Sequence, residues 1–171
     1  MWAARFDEGF VFGDLTPASV DTLKGVPMLI ESSDVRVRDR LLPETCIDAD
    51  DEEQWRQHSV PELERLFLSR AQLVRRDLGN LRKLQKTDQE VLFIQDGHVS
   101  AWLAALNAAR LAMFALADLK AEHMEDDGFL LCEPKQQEAV LRIQLLAWMQ
   151  SVLLGDDELE STGPFDEFVL E

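Results

Sequence analysis

Asn107 and Arg110 stand out in an otherwise apolar run, DGHVSAWLAALNAARLAMFALADL, from Asp96 to Leu119. Three residues is the spacing that brings two side chains onto one face of a helix, and a guanidinium beside a carboxamide suits a clamp for a carboxylate or phosphate. The competing reading is structural. A buried arginine needs a partner, and the acids between Glu44 and Glu53, with Arg40, Asp51 and Arg56 among or beside them, could tie that turn to the core through Arg110. No glycine-rich loop or second basic cluster supports a phosphate site, so the structural network is the expected one.

Other chemistry finds less footing. His58, His98 and His123 with Cys46 and Cys132 match no metal-ligand spacing, so neither metal nor cofactor is expected. Asp48, Asp50 and Asp51 begin like a calcium loop but lack its central glycine and closing glutamate, which leaves a solvated acidic turn. No serine sits in a Gly-x-Ser-x-Gly elbow, and no cysteine has a recognisable histidine partner.

The elements that must position these residues follow from periodicity and punctuation. The Asp96 run is hydrophobic on almost every side, so it belongs inside a bundle, with Asp96 as its natural N-cap. Ala4 to Phe12 reads as a short β-hairpin around Asp7-Glu8-Gly9, and Val91 to Ile94 as a short strand able to pair with it. Thr16-Pro17 opens a helix to about Glu31, with a break or kink expected at Gly25 and Pro27. A short helix covers Val35 to Leu42. Ser59, Pro61 and Glu62 form a capping box opening a helix that runs to Lys86, and Phe129 to Cys132 reads as extended. Pro134 opens a last apolar helix that Gly155 stops. The fold class is therefore mainly all-α: a single-domain bundle of five to six helices with an N-terminal hairpin over residues 1–154, followed by an acidic tail over 155–171.

Length and charge bound the function. A chain of 171 residues with 46% apolar composition and nine Phe can bury a real core, whereas its net charge of -16 opposes nucleic acid and anionic lipid. The N-terminus, MWAARFDEGF, lacks the basic and apolar regions of a signal peptide, and no run reads as a membrane span. Two cysteines suit a reducing compartment, so a cytoplasmic protein is expected.

Two stretches carry a resemblance: RLLPETCIDADDEEQWRQHSVPELERL, from Arg40 to Leu66, and WLAALNAARLAM, from Trp102 to Met113. They resemble the bacterial domain-of-unknown-function family two-thousand-and-seventeen, with its Arg-Leu-x-Pro run, an acidic turn leading to an Arg, and a Trp-Leu-x-x-Leu-Asn-x-x-Arg-Leu helix. The opening hairpin and the final Trp-containing helix fit as well. Where that family continues with a Leu-Gly pair this chain has Met113-Phe114, and Cys46 stands at an aromatic position. The resemblance implies no established activity; it implies an actinobacterial-type protein encoded beside the Clp protease adaptor, which is an association and not a mechanism.

The expectation is a non-enzymatic interaction or regulatory domain connected with Clp-dependent proteolysis, with a protein partner, no nucleic acid and no membrane; the sequence does not specify an oligomeric state. A small-ligand binder or enzyme built around Asn107 and Arg110 is the alternative. The expected interaction surface is the basic face of the helix opened by Ser59, with Arg70, Arg75, Arg76 and Arg82, onto which the tail's Phe165 and Phe168 could dock.

Overall fold

The computed structural model describes residues 1–83, 90–125 and 127–155. Strands β1 (Trp2–Phe6) and β2 (Gly9–Leu15) form the expected hairpin around Asp7 and Glu8. Two further strands, β3 (Arg82–Lys83) and β4 (Glu90–Gln95), extend it into an antiparallel sheet of order β1-β2-β4-β3. Phe10 and Phe12 of β2 and Leu92 and Ile94 of β4 alternate onto the buried face, as a two-residue side-chain period requires. At Gly9 a Cβ would stand 2.2 Å from the Ile94 carbonyl oxygen, so this strand crossing admits only glycine.

Six α-helices are present among the described residues: α1 (Pro17–Ile30), α2 (Val35–Leu41), α3 (Ala49–His58) and α4 (Val60–Leu78) between β2 and β3, and α5 (Val99–Leu116) and α6 (Pro134–Leu154) after β4. The protein is mainly helical, and α5 is its axis, packed by α1, α2, α4 and α6. That environment explains its composition: Trp102 and Leu106 are fully buried, while Ala105, Ala108, Ala109 and Ala112 let neighbours come close on the other sides. Each fully buried Leu or Val contributes about 2 kcal/mol of transfer free energy to this core. The sheet joins it where Phe12 meets Trp148 of α6 edge to face, ring centroids 5.7 Å apart.

Several local expectations are corrected. Helix α1 runs through Gly25 and Pro27 without a break; Pro27 is buried, and burial of that face holds the helix despite the missing donor. The acidic stretch after Pro43 is helical from Ala49 on rather than a turn throughout: Asp48 caps the helix by accepting from the amides of Asp50 and Asp51, and Asp50, Asp51 and Glu52 lie where the helix dipole favours negative charge. Ser59 makes no capping bond, because α3 and α4 abut at it in helical geometry. Helix α4 stops at Leu78 instead of running to Lys86; Asn80 and Leu81 turn the chain, and Arg82 and Lys83 enter the sheet.

Asp96 does not cap α5. A 3-10 turn over Asp96–His98 precedes that helix, and the Asp96 carboxylate is held by Arg5 in a two-pronged pair. With this turn, the segment Asp96–Leu116 is long and apolar enough to cross a membrane, contrary to the expectation that no run is; here it lies among four helices. Gly128–Leu131 forms a 3-10 turn in place of the extended segment expected from Phe129. Gly155 ends α6 in left-handed geometry, φ 79°, as its position suggests.

Candidate functional site

The residues flagged for chemistry are not gathered into one place. Asn107 is exposed on α5, whereas Arg110 is half-buried and donates from Nη1 to Gln150 Oε1 of α6 at 2.6 Å. Gln150 in turn donates from Nε2 to the Leu103 carbonyl at 3.0 Å. The partner expected for Arg110 was a carboxylate from the acidic stretch; a neutral carboxamide takes that role, because α6 and not α3 packs on this side of α5. Arg110 Nε is buried without a hydrogen-bond partner among the described residues.

The remaining members of the proposed network are dispersed. Arg40 lies over the Phe114 ring at 5.7 Å, an arrangement that stabilises a cation against a π face. Arg56 pairs with Glu52 one helical turn away at 2.8 Å, and exposed Asp51 contributes to the start of α3. Glu52 carries the local structure: its Oε2 accepts from the amides of Thr45 and Cys46, both at 2.9 Å, fastening the preceding loop to α3. Those amides, and the Arg56 charge after them, hold the Glu52 carboxyl below its ordinary range.

The arginines of α4 do not form one free basic surface. Arg75 reaches across to Glu31 at the end of α1 at 2.7 Å, Arg65 pairs with Glu62 at 2.5 Å, and Arg76 turns to His98. Arg70 is half-buried, and Arg82 belongs to the sheet edge. Lys86, Phe165 and Phe168 lie outside the described residues.

The tightest polar cluster joins α4 to the start of α5. Asp77 Oδ2 accepts from Trp102 Nε1 at 2.8 Å and lies 2.9 Å from His98 Nδ1, with only 7% of the Asp77 side chain exposed. Arg76 Nη2 lies 3.1 Å from His98 Nε2. A guanidinium only donates, so Nε2 accepts; the ring hydrogen is then on Nδ1 and is given to Asp77. The ring's lone pair is thereby engaged, and the arrangement works as a fastener: a buried carboxylate placed against the positive end of α5 and satisfied by an indole and an imidazole. In the sequence Asp77, next to Arg75 and Arg76, looks like one more charge of a solvated helix face. The missed signal is its place between Val74 and Leu78 on the buried stripe, together with a core tryptophan whose N–H needs an acceptor.

Two hollows flank α4. One, of about 190 Å³, is lined by Lys24, Pro27, Arg75, Leu78 and Gly79. The other is an open groove of about 230 Å³ whose apolar lining comes from Ile30, Val37, Leu41, Leu42, Phe67 and Leu68. Arg38 and Glu64, paired with each other, stand on its rim, and the Arg75–Glu31 pair connects the two hollows. Neither hollow is lined by Asn107 or Arg110. No three His, Cys, Asp or Glu side chains come together as a metal-binding group among the described residues.

No curated protein and no solved structure matches the chain. The family model described as Domain of unknown function (DUF2017) matches residues 13–155, from the second strand to the end of α6, and the chain belongs to that family.

Proposed function

We propose that this chain is a non-enzymatic interaction or regulatory domain, and that the groove between α1, α2 and α4 receives an apolar segment of a partner protein. The carrying observation is that groove. Its apolar lining opens to solvent, Leu68 being 47% exposed, while Arg110, Arg56 and Arg40 are each engaged with a neighbour in the same chain. The charged residues of the lining, Glu31, Arg38 and Glu64, are already paired with Arg75 or with each other, which leaves the apolar side chains as the groove's recognition surface. Clp-dependent proteolysis is the process to try first, a choice resting on the genome neighbourhood that the family resemblance implies.

The test is affinity capture from native lysate at low salt, comparing the full chain with Leu68→Asp, which puts a charge on the groove wall at an exposed position. The wild type should retain a protein that the variant does not. Equal retention by a variant that melts like the wild type would sink the assignment of the groove.

A further inference from the structure

We infer that Leu130 and Leu131 form a second, preorganised contact, which docks into an apolar pocket bordered by lysine or arginine on a different protein. The pair lies on the connection between α5 and α6 and shares no residue with the hollows beside α4, so it stands independently of the groove reading. Three observations carry it.

The first is exposure. Leu130 is 81% and Leu131 68% exposed, the two most exposed leucines among the described residues, and they are adjacent. Apolar side chains scattered singly over a surface are ordinary; a neighbouring pair with so little cover is not.

The second is rigidity. A loop free to move would fold its leucines back toward the core, but this one is tied on both sides of them. The 3-10 turn Ala121–Met124 is closed by buried His123, whose Nδ1 accepts from the Lys120 amide at 3.2 Å. The next turn, Gly128–Leu131, is pressed onto it: a Cβ at Gly128 would stand 2.0 Å from the Glu122 carbonyl oxygen, so no side chain fits there. Phe129, just before the pair, packs against the core, and its carbonyl accepts from Gln137 Nε2 at 3.4 Å. Cys132, just after it, is buried and donates from Sγ to the Gly128 carbonyl at 3.4 Å. The leucines are held out between anchored neighbours, and little backbone has to be ordered when a partner covers them.

The third is charge, which selects the partner. Residues 118–133 hold six acids, Asp118, Glu122, Glu125, Asp126, Asp127 and Glu133, against Lys120 alone. Lys120 faces Glu122 at 3.7 Å, whereas the exposed carboxylates of Glu125 and Asp127 meet no cation among the described residues. An apolar contact flanked by unpaired carboxylates fits a pocket with a basic border and is repelled by an acidic one. The same charge rejects anionic lipid and nucleic acid, and it opposes a second copy of this chain, whose net charge is -16.

The test is site-specific photocrosslinking. The photoreactive residue p-benzoylphenylalanine replaces Leu131 in the full chain or, as an exposed control on α6, Leu141; each protein is irradiated in native lysate at low salt, and the attached peptide is sequenced. Docking predicts a product from position 131 and none from 141, joined to a different protein at an apolar residue with lysine or arginine beside it. Its yield should fall at least about fivefold in Leu130→Ser and in Glu125→Lys/Asp127→Lys. It should fall as well in about 0.5 M salt, where the Debye length is below about 5 Å. Both variants change only exposed side chains and should melt like the wild type. No product from position 131, or equal products from 131 and 141, would overturn the inference. So would attachment to a second copy of this chain or to an acidic surface, and so would a yield that charge reversal leaves unchanged or raises.

Discussion

Helix α5 carries one polar cluster toward each end, and the two are built on opposite terms. At its start Asp77, His98 and Trp102 close a charged, buried network in which the Asp77 Oδ2 atom is shared by an indole and an imidazole. Toward its other end Arg110 meets a single carboxamide, leaving Nε buried and unpartnered. A carboxylate set among neutral N–H donors is satisfied at small loss of side-chain freedom, whereas a long guanidinium with one aligned partner is held mainly by packing of its methylenes. The first cluster fixes how α4 and the sheet connection meet α5. The second tethers α6 to α5 but leaves its register to the apolar core.

The strongest way to break this contrast is to empty the first cluster. Asp77→Ala strands the Trp102 N–H in the core and removes the partner of His98, and should cost about 3 kcal/mol in a denaturant titration. Asp77→Asn keeps an oxygen for the indole and should cost about 1 kcal/mol. If the alanine variant unfolds at the wild-type midpoint, the junction is not the fastener described. The coupling between Trp102 and Asp77 can be isolated with Trp102→Phe, whose hydrogen-bond share of the loss should disappear in the Asp77→Ala background while the share due to lost packing of the buried ring remains.

The second cluster should give way at lower cost. Arg110→Ala is expected to lose about 1 kcal/mol, the scale of one hydrogen bond to a neutral partner plus some methylene packing. Arg110→Met should lose less, since it keeps the stem and removes the unpartnered Nε. A loss in Arg110→Ala matching that of Asp77→Ala would show that Arg110 has a charged partner after all and would erase the distinction between the two ends.

The contrast also shows what the sequence made legible. The all-round apolarity of Asp96 to Leu119 identified the axis of the bundle, and Phe6, Phe10 and Phe12 with Val91 to Ile94 identified the hairpin and the strand that joins it. Local signals misled where a tertiary neighbour decided the outcome. Asp96 looks like an N-cap until Arg5, distant in sequence, takes its carboxylate. The run of acids from Glu44 looks like a solvated turn until Asp48 and Glu52 are seen to use the backbone amides that only a helix start and a folded-back loop present. Arg110 was expected to pair with an acid between Glu44 and Glu53 and instead donates to Gln150, because periodicity on α5 does not say which helix faces it. Asp77 was hidden by the opposite error, since an acid beside Arg75 and Arg76 reads as surface charge unless its offset from Val74 is followed.

The smallest expected effect distinguishes both clusters from the surface carboxylates. Hydrogen bonding to Arg36 lowers the Asp34 carboxyl, hydrogen bonding to Arg5 lowers that of Asp96, and the amides of Cys46 and Thr45 lower that of Glu52. A carboxyl group lowered on folding binds its proton more weakly in the folded state. It therefore adds stability above its unfolded value, 3.8 for the aspartates and 4.5 for the glutamate, and that stability is lost as pH falls through the lower folded value. Glu52→Gln retains an oxygen for the Thr45 and Cys46 amides but discards the charge, so it should be slightly less stable than wild type at neutral pH. The gap between their denaturation midpoints should narrow as pH drops below 4.5 and vanish once Glu52 is protonated in both states. A gap that persists unchanged in acid would mean that the carboxamide fits the loop poorly for steric reasons, and that the charge of Glu52 is not what fastens Thr45 and Cys46 to α3.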